Sequence, residues 1–161
     1  MNKNPVQRLG SENGRFMRIL LKSVVKCNYE KVSTDFSSDL FGYLLPPKFV
    51  ASLVAYEGST PGSKVHIRFK LPWPSDWISI IKSETKDAGK YVFVDEGEKL
   101  PFGLKSWRHI HSVVKVDEDH TQIIDDMSFS VGNKIFDYFV FPVLYLSFYP
   151  RKKLYKKYFE K

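Results

Sequence analysis

Apolar and polar residues alternate through much of the second half of the chain, and the rhythm then changes abruptly. Val65, Ile67 and Phe69 alternate with Lys64, His66, Arg68 and Lys70, the period-two pattern of a half-buried strand. Two longer runs, Ser106 to Val116 and Thr121 to Val131, carry the same rhythm and predict neighbouring strands. Immediately after them, Ile135 to Tyr149 is apolar on nearly every side. A helix of that kind needs cover all round rather than along one stripe, so a sheet is expected to wrap it.

The remaining elements follow from turn and cap residues. Phe16 to Lys26 reads as a first strand, and Asn28 as the cap of a short helix over Tyr29 to Phe36. Ser38 opens a second short helix that Pro46 and Pro47 stop. Strand character returns at Phe49 to Tyr56, Lys64 to Leu71, Trp77 to Thr85 and Tyr91 to Glu96, the last two forming a hairpin around Asp87-Ala88-Gly89. Successive hairpins make an antiparallel sheet with one wet face. The prediction is an α+β architecture: six to seven strands, two short helices after the first, and one C-terminal helix of nearly 30 residues kinked near Pro142 or Pro150. Residues 1–14 read as a flexible lead-in and residues 15–161 as a single domain.

Composition changes this picture little. Aromatic residues make up 16% of the chain, which excludes a disordered chain and suits a core or cavity wall of large flat groups. Cys27 is alone, so no internal disulfide framework is possible; a reducing, cytoplasmic setting is expected. The +7 net charge is terminal: residues 151–161 hold six basic residues against one acidic, and residues 23–150 hold fourteen against sixteen. A slightly acidic body without a recognised nucleic-acid module argues against a nucleic-acid partner. The basic end is first a solvated helix terminus. Its functional reading is peripheral docking on anionic membrane through Arg151, Lys152, Lys153, Lys156 and Lys157, interleaved with Leu154, Tyr155 and Tyr158.

The order of elements and several landmarks together resemble the SRPBCC superfamily, the helix-grip fold shared by START lipid-transfer domains, the birch pollen allergen and polyketide cyclases. Asp39-Leu40-Phe41 with Leu44-Leu45-Pro46-Pro47 looks like its helix pair, and Trp77-Ile78 with Phe93-Val94-Asp95 like its middle strands. Trp107-Arg108-His109-Ile110-His111 is similar to the W-x-H-x-H strand of bacterial stand-alone members, and Thr121 to Asp125 to their T-x-I-x-D strand. The chain departs from that pattern at Leu100-Pro101-Phe102, where the bacterial members usually have Gly-Pro-Phe. The resemblance implies a pocket for a hydrophobic ligand between sheet and helix, and no particular chemistry.

Which way His109 and His111 face depends on the last hairpin. Pairing Val116 with Thr121 would send both outward. A three-residue loop, Glu118-Asp119-His120, would pair Asp117 with Thr121 and bring Trp107, His109, His111 and Val113 onto the face of Asp125, Met127 and Phe129. The second register is preferred because it gathers the large apolar groups and leaves Arg108 in solvent.

On that reading the expected ligand-binding residues are Trp77, Phe93, Trp107, His109, His111, Asp125, Met127 and Phe129, with Phe136 and Phe139 from the helix. Four roles compete for His109, His111 and Asp125: mutual satisfaction inside the sheet, contact with a ligand's polar end, general acid–base chemistry by His109 and Asp125, and metal ligation. No fourth ligand is evident in the sequence, so no metal or cofactor is expected, and no nucleophile stands beside the pair. The leading expectation is a binding protein for a small hydrophobic or amphipathic molecule. The alternatives are a cyclase- or dehydratase-type enzyme using the His–Asp pair, and a lipid carrier docking through its basic helix end.

Overall fold

The computed structural model describes residues 16–161, so the expected lead-in at residues 1–14 lies outside the described residues. A first strand, β1 (Met17–Val25), leads into α1 (Tyr29–Thr34) and α2 (Ser38–Leu44). Six more strands follow: β2 (Ala51–Tyr56), β3 (Lys64–Phe69), β4 (Ser75–Lys86), β5 (Lys90–Lys99), β6 (Ser106–Lys115) and β7 (Thr121–Ser130). Two helices close the chain, α3 (Lys134–Phe148) and α4 (Arg151–Phe159). All seven strands form one antiparallel sheet in the order β1-β7-β6-β5-β4-β3-β2. The helix-grip architecture expected from the sequence is therefore present.

Local chemistry sets the element ends. Asn28 caps α1 by accepting from Lys31 N at 2.9 Å, as its position predicts. The cap of α2 is Ser37 rather than Ser38, and its side chain makes no capping bond. Asp87, Ala88 and Gly89 form the β4–β5 turn, closed by Asp87 N donating to Lys90 O. Register shifts in β4–β5 and in β2–β3 interrupt the ladders there, as bulges that bend a sheet do.

The β6–β7 hairpin corrects one detail. Lys115 pairs with Thr121 and His111 with Asp125, so the register lies two residues from the expected Asp117–Thr121 pairing, with a five-residue turn. A shift of two preserves the face. Trp107, His109, His111 and Val113 therefore share the inner face with Asp125, Met127 and Phe129.

The C-terminal helix is where the structure departs most from expectation. It breaks at Tyr149-Pro150, whereas Pro142 stays inside α3. Both break residues keep right-handed helical backbone, so the helical phase carries across. On the inner stripe, α4 buries Arg151, Tyr155 and Phe159, whereas Phe141, Leu144, Tyr145 and Phe148 of α3 are only half-buried. The outer side of α3 is not wrapped at all: Ile135, Phe139, Val143 and Leu146 face solvent. The sheet holds this helix along one stripe and leaves the other bare.

Candidate functional site

Strand pairing builds a checkerboard of polar groups in the apolar interior. Asp95 on β5 stands opposite His109 on β6, and His111 on β6 stands opposite Asp125 on β7. The shorter contacts run along the diagonals: His109 Nε2 donates to Asp125 Oδ1 at 2.9 Å, and His111 Nε2 donates to Asp95 Oδ2 at 3.0 Å. The imidazole rings overlap with centroids 3.6 Å apart. Tyr155 OH also donates to Asp125 Oδ1, at 3.3 Å. His111 Nδ1 lies 3.3 Å from the same oxygen but is not aligned for a hydrogen bond. All five residues are buried.

The cluster divides two apolar regions. On one side His111 stacks on Phe93 at 4.4 Å and meets Phe41 edge-on, within the core formed by α1, α2 and α4. On the other, His109 approaches Trp107 and Phe148, at the entrance to the core beneath α3. That second region is an aromatic chain: Trp77 meets Trp107 at 4.7 Å, Trp107 stacks on Phe148 at 5.3 Å, and Phe69 bridges from Trp77 to Phe102. Its outer rim exposes Leu71, Trp73 and Phe102.

Electrostatics make the cluster nearly self-neutralising. Burial would raise both carboxyls, but the hydrogen bonds and charges of the histidines outweigh it and hold Asp95 below, and Asp125 well below, the usual range. Burial, followed by the neighbouring His111, pushes His109 down to about 4. Burial also works against a charge on His111, but the two carboxylates prevail and raise it. Burial and then Asp125 hold the Tyr155 phenol protonated well above its ordinary value. Two carboxylates thus face one imidazolium and the buried Arg151 guanidinium, whose charge also favours ionised Asp125. A ring held near 4 is a weak base at neutral pH.

Eight of the ten predicted ligand-binding residues lie inside: Trp77, Phe93, Trp107, His109, His111, Asp125, Met127 and Phe129. Phe136 and Phe139 do not; they are 61% and 71% exposed because they occupy the outer side of α3. Among the predicted membrane-docking residues, Arg151 is buried, with its guanidinium 4.6 Å from the Phe148 ring, while Lys153, Lys156 and Lys157 remain exposed and Lys152 is half-buried. The apolar face of α4 is spent on the core, so it is not free to enter a bilayer. Sequence reasoning missed Asp95, Arg151 and Tyr155 as members of the cluster. Asp95 was detectable from its place beside Phe93 on an alternating strand, but Arg151 and Tyr155 depend on how the terminal helix docks. Separately, a groove of about 440 Å³ opens on the outer side of the sheet between Arg18, Glu96, Arg108 and Asp126, away from the histidines. The Arg18–Asp126 fork, two bonds of 2.7 Å, spans part of its wall.

The backbone has the START-like helix-grip fold, and solved structures share that fold at low sequence identity. An uncharacterized protein from Bacillus thuringiensis superposes with a TM-score of 0.64 at 12% identity, covering 90% of this chain and 100% of its own. A START superfamily protein from Mycobacterium smegmatis gives 0.58 at 12%, covering 89% and 97%. Norcoclaurine synthase from Thalictrum flavum gives 0.59 at 15%, covering 79% and 76%. No protein-family model and no curated protein sequence matches the chain.

Proposed function

We propose that the protein binds a small hydrophobic or amphipathic molecule beneath α3, against Trp77, Trp107 and Phe148. The observation that carries this reading is the contrast between the two terminal helices. Inner-stripe residues of α4 are buried, whereas the corresponding apolar residues of α3 stay half-exposed over an aromatic floor. Covering that surface with an apolar ligand would contribute about 25 cal/mol per Å². A norcoclaurine synthase of the same fold, solved in complex with dopamine and hydroxybenzaldehyde, supports small-molecule binding in kind. Native mass spectrometry of freshly purified protein tests it: a retained apolar molecule is expected on the wild type and lost from Leu144→Trp, which adds bulk on the inner stripe of α3. Protein that is always empty and indifferent to that substitution would refute the reading.

A second reading rests on a separate observation. With helical phase preserved across Pro150, the exposed face of Ile135, Phe139, Val143 and Leu146 continues into Lys153 and Lys157. No acidic residue lies on that face of α3, since Asp137 is turned inward to accept from Val131 N and Ser130 Oγ. An apolar stripe continuing into lysines complements an anionic bilayer surface, and we propose that this face docks there. Sedimentation with phosphatidylserine vesicles should be abolished by Phe139→Asp with Leu146→Glu and weakened by Lys153→Glu with Lys157→Glu. Equal sedimentation of all three proteins, or none by the wild type, would contradict it. Truncating residues 151–161 is unsuitable, because it also removes Tyr155 and Phe159 from the core.

A further inference from the structure

The buried cluster has two sides, each gathered about one carboxylate oxygen. Asp125 Oδ1 stands behind both rings, 2.9 Å from His109 Nε2 and 3.3 Å from His111 Nδ1. The remaining two ring nitrogens turn toward one oxygen on the other side: His109 Nδ1 lies 3.8 Å and His111 Nε2 3.0 Å from Asp95 Oδ2. His109 Nε2 is engaged by Asp125, and at 3.8 Å the Nδ1 of the same ring lies too far from Asp95 Oδ2 for a hydrogen bond. Two ring nitrogens and one carboxylate oxygen thus converge on one buried point.

The convergence of these three donor atoms in the apolar interior is the arrangement a cation would use. One donor atom each from Asp95, His109 and His111 lies within 4.8 Å of the others, all three residues are buried, and the strand ladders β5–β6 and β6–β7 fix the spacing. We propose that Asp95, His109 and His111 form a site for a divalent first-row transition ion, bound by the Asp95 carboxylate, His109 Nδ1 and His111 Nε2. Two imidazoles and one carboxylate suit zinc, cobalt or ferrous ion rather than calcium or magnesium, which prefer oxygen. Asp125 then acts as a positioning residue, accepting from His109 Nε2 and lying against His111 Nδ1 so that each ring presents its other nitrogen. On binding, His111 Nε2 gives its proton to solvent, so uptake releases a proton and weakens as pH falls. This inference does not depend on a ligand beneath α3. It departs from the expectation of no metal, which rested on a ligand count that omitted Asp95.

The test uses the full chain freed of metal and then given Zn²⁺ or Co²⁺ alone. One equivalent is expected to remain after buffer exchange, with affinity tighter than about 1 μM. Co²⁺ should give ligand-field bands, and Zn²⁺ should shift the His109 Nδ1 and His111 Nε2 resonances in ¹⁵N spectra of the wild type. Asp95→Asn should lose the equivalent, whereas His66→Gln with His120→Gln, which removes the two outlying histidines, should keep it. Binding lost only from the His66/His120 variant would mean surface binding and would overturn the proposal. So would unmoved His109 and His111 resonances at saturating Zn²⁺, a readout that stands even if Asp95→Asn fails to fold.

Discussion

Asp95, His109, His111 and Asp125 are ionisable groups held out of water by one another, and their protonation couples directly to folding. In metal-free protein His109 titrates near 4 when folded but near its ordinary value of 6.5 when unfolded, so the unfolded chain binds more protons between those values. Stability should therefore fall as pH drops from about 6.5 toward 4. The lowered Asp95 and Asp125 act in the same direction at lower pH, their contribution being lost as acid protonates them in the folded state. His111 has the opposite sign: raised when folded, it contributes fully below about 6.5, and that contribution fades as pH rises through its folded value. Thermal unfolding across pH should show a maximum near neutrality, and His109→Gln should flatten the limb between 6.5 and 4. A profile unchanged by that substitution would contradict the assignment. Asp125→Asn should cost about 3–5 kcal/mol in denaturant unfolding, since it leaves charged His111 and Arg151 short of a counter-charge. Alternation made His109, His111 and Asp125 legible as one face in the sequence, because strand parity survives a two-residue error in register. Arg151 was not legible: as one of six basic residues at the chain end it looked solvated, and only the docking of α4 buries it over Phe148.

At the scale of elements, α3 and α4 share a helical phase but not a degree of burial. Tyr155 fills the core beside Phe36, and Glu160 accepts from Lys26 N, tying α4 to the end of β1. At its start α3 is tied by Asp137 to the end of β7, and beyond that it rests on half-buried aromatics. Amides of α3 should therefore exchange with deuterium on the order of a hundredfold faster than those of α4 in ligand-free protein. Equal protection would mean that α3 is no more open than its neighbour. The sequence led to a wrapped helix here because burial and exposure cannot be separated when both stripes are apolar. Periodicity carries information only through contrast. The strands had that contrast, which explains why their ends were found within two or three residues while the environment of the helix was misjudged.

Across the described residues, a seven-stranded sheet holds one core under α1, α2 and α4 and a second, aromatic one under α3, whose own side chains are only half-buried, with the charged cluster at the boundary. The polar trio expected to face a ligand is packed, and of the three only His109 contacts Phe148 of α3. The succession of elements along the chain was readable because turn residues punctuate it, except that the single C-terminal helix expected is two, α3 and α4. The division of the interior was not, because it depends on which aromatics from distant elements meet. The central claim, an apolar chamber beneath α3, is tested most directly by titrating the protein with 1-anilinonaphthalene-8-sulfonate and comparing an inner with an outer substitution on that helix. The account predicts saturable binding that Leu144→Trp abolishes and Leu146→Glu leaves intact. Binding that disappears with Leu146→Glu and persists with Leu144→Trp would place the apolar surface outside the fold and contradict it.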